Sequence, residues 1–384
     1  MNPLKLLLIT VSLVALSAFG SEKSVEKEPK HSKGYNETKQ AHYLRNLREK
    51  SEAGQGLPPL EERLAAIKNH NRAIQVLDPW IRDPFIFIGD DGAYYLTGTT
   101  IDTEPDGVIG IPLWRSENLA EWEKLPRLWQ LSDSSWMGDV RPTRHANPNL
   151  LVWAPEVYQF GEKWVMMHTT NANTANLLVS KSESLRGGFD EPMQADFGAR
   201  HDPFLFVEDG KPWLVWGCTK IAPLQKDFLG FAGETVEVGP SNRSMGHEGS
   251  SIMKIGKKYV LFGTAWSTDH MRKGTYNLYY CTSDKLEGPY DERKFAGRFL
   301  GHGTPFKDKQ GRWWCTAFFN ANHTTSSLEE TMDLNKTKGD AYTINKMGVT
   351  LVPLEIQTDK TGNISVRAKD PRYAKPGPEE VQQF

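Results

Sequence analysis

Cysteine is nearly absent: Cys218, Cys281 and Cys315 are the only three in 384 residues. So few, so widely spaced, they exclude a disulfide framework and a cysteine zinc site. They read as small buried residues, with one disulfide as the alternative in an oxidising compartment. A surplus of charge is missing too. Lys and Arg number 46 against 48 Asp and Glu, a formal net charge of -2, so no nucleic-acid partner is expected. No basic run marks a membrane surface. After residue 20, no stretch approaches the ~20 apolar residues that cross a bilayer.

The one apolar run stands at the start. Lys5 is followed by an apolar segment from Leu6 to Phe19, with small residues around Ala18 and Gly20. That is the pattern of a signal peptide over residues 1–20. No cysteine lies near the cleavage point, which argues against a lipid anchor. The chain is therefore expected to be secreted or periplasmic, with no membrane attachment once the signal is removed. The alternative is a segment retained as an N-terminal anchor.

Residues 21–36 are charged and read as a flexible linker. Residues 37–76 carry helical patterns, with Tyr43, Leu44 and Leu47 on one face and Leu60, Leu64 and Ile67 on another. This segment is expected to pack on its own domain, with a homodimer contact as the alternative. From residue 77 to 370 the pattern is one of strands. Residues 371–384 read as a poorly ordered tail.

What is abundant is a repeated hairpin. Asp83-Pro84 leads an apolar strand to the turn Asp91-Gly92 and then Tyr94, and Asp202-Pro203 leads another to Asp209-Gly210 and Trp213. An Asp-Gly pair between apolar runs is a strong hairpin signal. Turn glycines 92, 161, 210, 256 and 311 each precede a Tyr or Trp by two or three residues, at separations of 69, 49, 46 and 55. Strand-only repeats of this length predict an all-β, five-bladed β-propeller preceded by the short N-terminal helical segment. The long first period leaves room for an inserted loop at residues 133–149, which contains Trp136.

In a propeller the innermost strand of each blade lines a central channel. Asp83 and Asp202 begin two such strands, and Glu248 stands at a corresponding place in the fourth repeat. The second repeat opens with Trp153-Ala154-Pro155-Glu156 and the fifth with Gly301-His302-Gly303. Separated carboxyl groups, one ionised and one protonated, are what glycoside hydrolysis needs, and a third can raise the acid's pKa by repulsion. An Asp before Pro can also simply cap a turn.

The series Arg82-Asp83-Pro84, Trp153-Ala154-Pro155-Glu156, His201-Asp202-Pro203 and Glu248-Gly249 resembles the five-bladed propellers of glycoside hydrolase family 43, over about residues 80–319. The resemblance implies Asp83 as general base, Glu248 as general acid and Asp202 as the residue that tunes the acid, with inversion at the anomeric carbon. It implies an oligosaccharide substrate of plant or algal origin and no required cofactor. His302 matches a histidine that in the family helps hold calcium or another ion near the axis; a structural histidine is the alternative. Arg82, Trp153, Glu156, His201, His247, Trp136 and Trp266 are candidate substrate-binding residues; for each Trp, packing is the plainer reading. Three departures stand out: Glu156 where the family commonly has Asp, Gly249-Ser250 where it has Gly-Pro, and the N-terminal helices. The last feature is similar to family 117, anhydro-galactosidases acting on agar-derived sugars. A sugar-binding propeller without catalysis and an interaction scaffold are the competing classes.

Overall fold

The computed structural model describes residues 56–100, 108–135, 151–171, 173–321 and 327–384, without the side chains of 336 and 337. Helix α1 (Leu60–Asn69) leads into strand β1 (Ile74–Leu77), and four sheets of four strands follow in chain order. The first blade is β2 (Arg82–Ile88), β3 (Tyr94–Thr99), β4 (Gly110–Ser116) and β5 (Glu123–Gln130). The second is β6 (Val152–Phe160), β7 (Lys163–Thr170), β8 (Ala175–Ser180) and β9 (Phe189–Asp190). The third is β10 (Phe204–Glu208), β11 (Lys211–Trp216), β12 (Lys220–Pro223) and β13 (Val236–Glu237). The fourth is β14 (Glu248–Ile255), β15 (Lys258–Trp266), β16 (Tyr276–Ser283) and β17 (Lys294–Gly297). The fifth contains β18 (Pro305–Lys307), β19 (Trp313–Ala317), β20 (Val349–Thr358) and β21 (Ile364–Ala368), with helix α2 (Leu334–Gly339) between β19 and β20. The five-bladed propeller expected from the repeat is what forms.

Closure of the ring uses a strand that the sequence reading left in the helical segment. β1 pairs antiparallel with β20, Ile74 opposite Leu351 and Leu77 opposite Val349, so the fifth sheet runs β18-β19-β20-β1. A strand from before blade one thus completes blade five and covers an otherwise open edge. Only one helix, α1, precedes the propeller among the described residues. It buries Ala66 and Ile67 against blades one and five, as expected of packing on its own domain, while Leu64 is 38% exposed and leaves the expected face. The face at Tyr43, Leu44 and Leu47 lies outside the described residues.

Five apolar clusters fill the gaps between neighbouring blades. All three cysteines are buried and unpaired, so the disulfide alternative falls. No helix among the described residues is long and apolar enough to cross a membrane.

Residues 371–384 are packed rather than loose, contrary to the expectation of a tail. Glu379 is 1% exposed and meets Arg298 Nη2 at 3.0 Å, with Ser267 Oγ also donating to it. Gln382 accepts from Arg293 Nε at 3.0 Å, and the amide of Val381 donates to the Ser267 carbonyl. Composition misled because this stretch is polar. Its polar groups are spent on partners inside blade four.

Candidate active site

Every innermost strand begins with the same backbone event. Asp83, Ala154, Asp202, Gly249 and His302 all hold positive φ, between 43° and 64°. In blades one, two and four a register shift accompanies it, at Arg82/Phe85, Trp153/Glu156 and Glu248/Ser251. Such bulges bend a strand and re-aim its side chains. Gly takes this conformation freely and Asp tolerates it better than most residues. The repeat also corrects the sequence reading. Asp83, Asp202 and His302 occupy the left-handed position itself, whereas Glu248 stands one residue before it and Glu156 two after.

These bulges gather charged groups from blades one, three, four and five. His302, 5% exposed, has Nδ1 at 3.0 Å from Asp83 Oδ1 and 3.8 Å from Glu248 Oε1, and Nε2 at 3.6 Å from Asp202 Oδ2. His201 Nε2 lies 3.3 Å from Asp202 Oδ2 and 3.4 Å from Glu248 Oε2. Tyr158 packs against Phe85 and Phe204, with ring centroids at 5.3 and 5.4 Å.

A sequence model described as glycosyl hydrolases family 43 matches residues 75–348. The chain belongs to this family. Among solved structures it is similar to an exo-1,5-alpha-L-arabinanase from a bovine ruminal metagenomic library, at TM-score 0.54 and 20% identity over 76% of this chain and 98% of that one. It is also similar to the GH43 BlXynB protein from Bacillus licheniformis, at TM-score 0.55 and 18% identity over 80% of this chain and 59% of that one. A xylan beta-1,4-xylosidase from Bacillus halodurans C-125 gives TM-score 0.54 and 17% identity over 76% of this chain and 56% of that one. The chain thus spans under two thirds of the last two proteins, and at these identities the likeness is one of fold. Comparison with curated proteins finds no match.

Family 43 membership implies a glycosidase, and so an oligosaccharide substrate. In this family 43 chain the four carboxyls are held in different states. For Asp83, burial works against ionisation, but the His302 imidazole outweighs it and lowers the carboxyl below its ordinary value. Burial raises Asp202, only partly offset by His302 and His201. Glu156 is raised well above the usual range, by burial first and then by Asp202 and Asp83, while His302 opposes the rise. Tyr158 donates its hydroxyl to the Glu156 carboxyl. Glu248 goes the other way: burial resists, but bonds to His201 and His302 hold it well below its usual value. Burial disfavours charge on His302, yet Asp83 and Asp202 raise it well above 6.5.

The remaining candidates divide. Arg82 lies close enough to lower Asp83 and Glu248. His247 is half-buried beside Glu248, and burial lowers it. Trp153 is partly buried at the start of β6. Trp266 is not free to stack on a sugar: it is 3% exposed and lies flat on Tyr276 at 4.5 Å. Arg200, the residue before His201, sits over the rings of Trp216 and Phe231 at 5.0 and 4.6 Å. Trp136 lies outside the described residues.

The reading missed the residues that hold the carboxylates still. Thr99 Oγ1 donates to Asp83 Oδ2 at 2.8 Å and accepts the Ala154 amide at 2.7 Å, tying blade one to blade two. Thr169 Oγ1 accepts the Asp202 amide at 2.8 Å, from blade two to blade three. Cys218 Sγ lies 3.0 Å from the Glu248 carbonyl, which also accepts from Thr264 Oγ1 at 2.7 Å. Thr316 Oγ1 reaches the Pro84 carbonyl at 2.8 Å and closes the circuit from blade five to blade one. A hydroxyl or thiol five to eight residues after each turn glycine was the available signal.

Two substitutions test this support. Thr99→Val removes a bond to Asp83 and strands the buried Ala154 amide, so a loss of about 1–3 kcal/mol is expected from urea unfolding. Gly249→Ala places a methyl 2.7 Å from His302 Cδ2 at a φ of +64°. It should cost at least the roughly 1–2 kcal/mol of a left-handed alanine and displace His302, visible as shifted imidazole resonances by NMR.

Calcium, which the family resemblance associates with His302, takes six to eight oxygen ligands. The donors converging here include two imidazoles, His201 and His302, beside the carboxylates of Asp202 and Glu248. That set does not match calcium.

Proposed function

We propose that this chain is an exported, inverting glycosidase that removes terminal sugars from plant or algal oligosaccharides. Asp83 is the base that activates water, Glu248 the acid at the glycosidic oxygen, and Asp202 the residue that tunes the acid. One observation carries the reading: Asp83, Asp202 and Glu248, far apart in sequence, all lie within 3.8 Å of the His302 ring. The ionised Asp83 suits a base, and the raised Asp202 suits a modulator.

The acid needs one further step. Glu248 is held well below its usual value by His201 and His302, and the His201 imidazole is raised by Glu248 and Asp202 against the opposing effect of burial. In this reading the donated proton is shared by the pair. The His201–Glu248 pair, 3.4 Å apart, then acts as the donor unit. Asp83 Oδ1 and Glu248 Oε1 lie 3.0 and 3.8 Å from one nitrogen, His302 Nδ1, so their separation cannot exceed the sum of those distances. That ceiling touches the short end of the span of about 6.5–9.5 Å used by inverting enzymes only if the three atoms lie nearly in line, and a bent arrangement falls short of it.

Arabinofuranosides and xylosides are the first substrates to try, followed by galactosides of algal type. Aryl arabinofuranoside, xyloside and galactoside should be screened beside agar and carrageenan oligosaccharides, and the first-formed anomer of any product read by NMR. Release of the inverted sugar supports the proposal, and a retained anomer overturns the mechanism. A second reading, a sugar-binding propeller without catalysis, is favoured by the lowered Glu248 carboxyl alone; binding without turnover on every substrate would establish it. Export is tested by N-terminal sequencing of the mature protein. Light scattering of the full chain tests the homodimer proposed through the N-terminal helical segment.

A further inference from the structure

We propose that Tyr276 is the positioning residue of the acid: its hydroxyl donates to the Glu248 carboxyl and steadies the charge left there when the proton is given up. The inference rests on the hydrolase reading. Tyr276 opens β16 opposite Trp266 on β15, and two residues earlier on β15 Thr264 stands opposite Glu248 on β14. Blade four therefore carries the acid, the threonine and the tyrosine on three adjoining strands.

The tyrosine ring has no room to move. It is 3% exposed, and Trp266 lies flat on it, with centroids 4.5 Å apart and planes 17° from parallel. The backbone of Gly301, the residue before His302, also abuts it. The Gly301 amide donates to the Tyr276 carbonyl at 3.0 Å, and a methyl on Gly301 would fall 1.9 Å from Tyr276 Cδ1. Trp266, which offers no face to a sugar, thus serves to back the tyrosine.

Counting protons gives the direction of the bond. Thr264 Oγ1 has one hydrogen and lies 2.7 Å from the Glu248 carbonyl and 3.0 Å from the Tyr276 hydroxyl. A carbonyl can only accept, so at the shorter distance it takes that hydrogen. The Tyr276 proton is left with two acceptors, Thr264 Oγ1 and the Glu248 carboxyl. Burial first, and then the charge of Glu248 and a hydrogen bond to it, raise the tyrosine well above its ordinary value, so it stays a donor. When the donor unit protonates the glycosidic oxygen, the remaining carboxylate takes the Tyr276 O–H bond, and the phenol keeps its proton. Among the groups that lower Glu248, His201 and His302 come first, so loss of the tyrosine hydroxyl should weaken the acid without abolishing it.

The test is Tyr276→Phe, which removes one oxygen and leaves the ring in its seat, so thermal unfolding should stay near that of the wild type. On the aryl-glycoside that the wild type cleaves, kcat should fall about tenfold, the low end of what a hydrogen bond to a charged group is worth, with KM little changed. A donor to the ionised form lowers an acid's pKa. Its removal raises the pKa of the donor unit, so the alkaline limb of kcat should move to higher pH, by about one unit for that tenfold loss. A packing defect would lower kcat without moving the limb, and that result would overturn the proposal, as would wild-type kinetics. The contact itself is read without any substrate. The carbon-13 resonance of Tyr276 Cζ, identified by its absence from Tyr276→Phe, should shift in Glu248→Gln, and an unmoved resonance would overturn the contact. A shifted resonance in a protein that cleaves no glycoside would keep the contact and remove the hydrolase reading. Hydrolysis with an unmoved resonance would do the reverse.

Discussion

Asp83→Asn and Glu248→Gln should each lower kcat by about 10²–10⁴-fold, the usual worth of a positioned acid or base, with the fold intact. The physical case is strongest for Asp83. Its φ of 52° is a conformation that Asn also accepts, and an amide oxygen can still take the Thr99 hydroxyl bond. What Asn cannot do is remove a proton from water. Alanine would be a poorer test, because the left-handed backbone penalises it directly. For Glu248→Gln the amide keeps the volume but cannot relay the proton shared with His201. The measurement is kcat on whichever aryl-glycoside the wild type cleaves, with thermal unfolding alongside. Retention of most activity by either variant, with a native melting curve, would remove that residue from its role.

Glu379→Ala should be the most destabilising single change away from the site, by about 3–5 kcal/mol. The carboxylate and its partner Arg298 have side chains 0% and 2% exposed. Removing one member of a buried pair leaves the other as an uncompensated charge, which is where an effect of about 3–5 kcal/mol comes from. Arg298 has other contacts, including a 2.6 Å bond to the Thr331 carbonyl, but no other carboxylate among its hydrogen bonds with the described residues. Burial already lowers its affinity for a proton, and Glu379 is the largest of the groups that oppose that, ahead of Glu380 and Tyr279. The double variant Glu379→Leu with Arg298→Met should recover much of the loss, since replacing both charges with apolar groups is often neutral. Urea midpoints for the three proteins settle the matter. A single variant within about 0.5 kcal/mol of wild type, the ordinary scatter of surface changes, would show that the C-terminal segment is not a structural part of the propeller.

Much of the architecture was legible because it depends on neighbours in sequence. A turn glycine followed by Tyr or Trp reports a hairpin, most strongly in the two Asp-Gly turns, and five such glycines 46 to 69 residues apart leave few folds open. The offset among the carboxylates was not legible. Asp83 and Glu248 look alike as strand-leading acids, yet one occupies the left-handed bulge position and the other precedes it. Likewise the spacing after the turn glycine marks Thr99 and Thr169 as repeated positions but not what they bond, because their partners, Ala154 and Asp202, lie in the next blade. Residues 371–384 failed for the converse reason: polar composition predicts solvent unless the buried partner is known.

From its own order of residues this chain determined a repeated four-stranded unit, the number of its copies, and which acids begin the innermost strands. Those are consequences of turn chemistry and of apolar alternation, which act over a few residues. Only the closed ring decided that Asp83, Asp202, Glu248, His201 and His302 share one small volume, and that the Glu248 carboxyl is pulled below its usual range while that of Glu156 is pushed above it. The charge on a carboxyl is set by burial and by the groups within a few ångströms, and here those groups arrive from other blades.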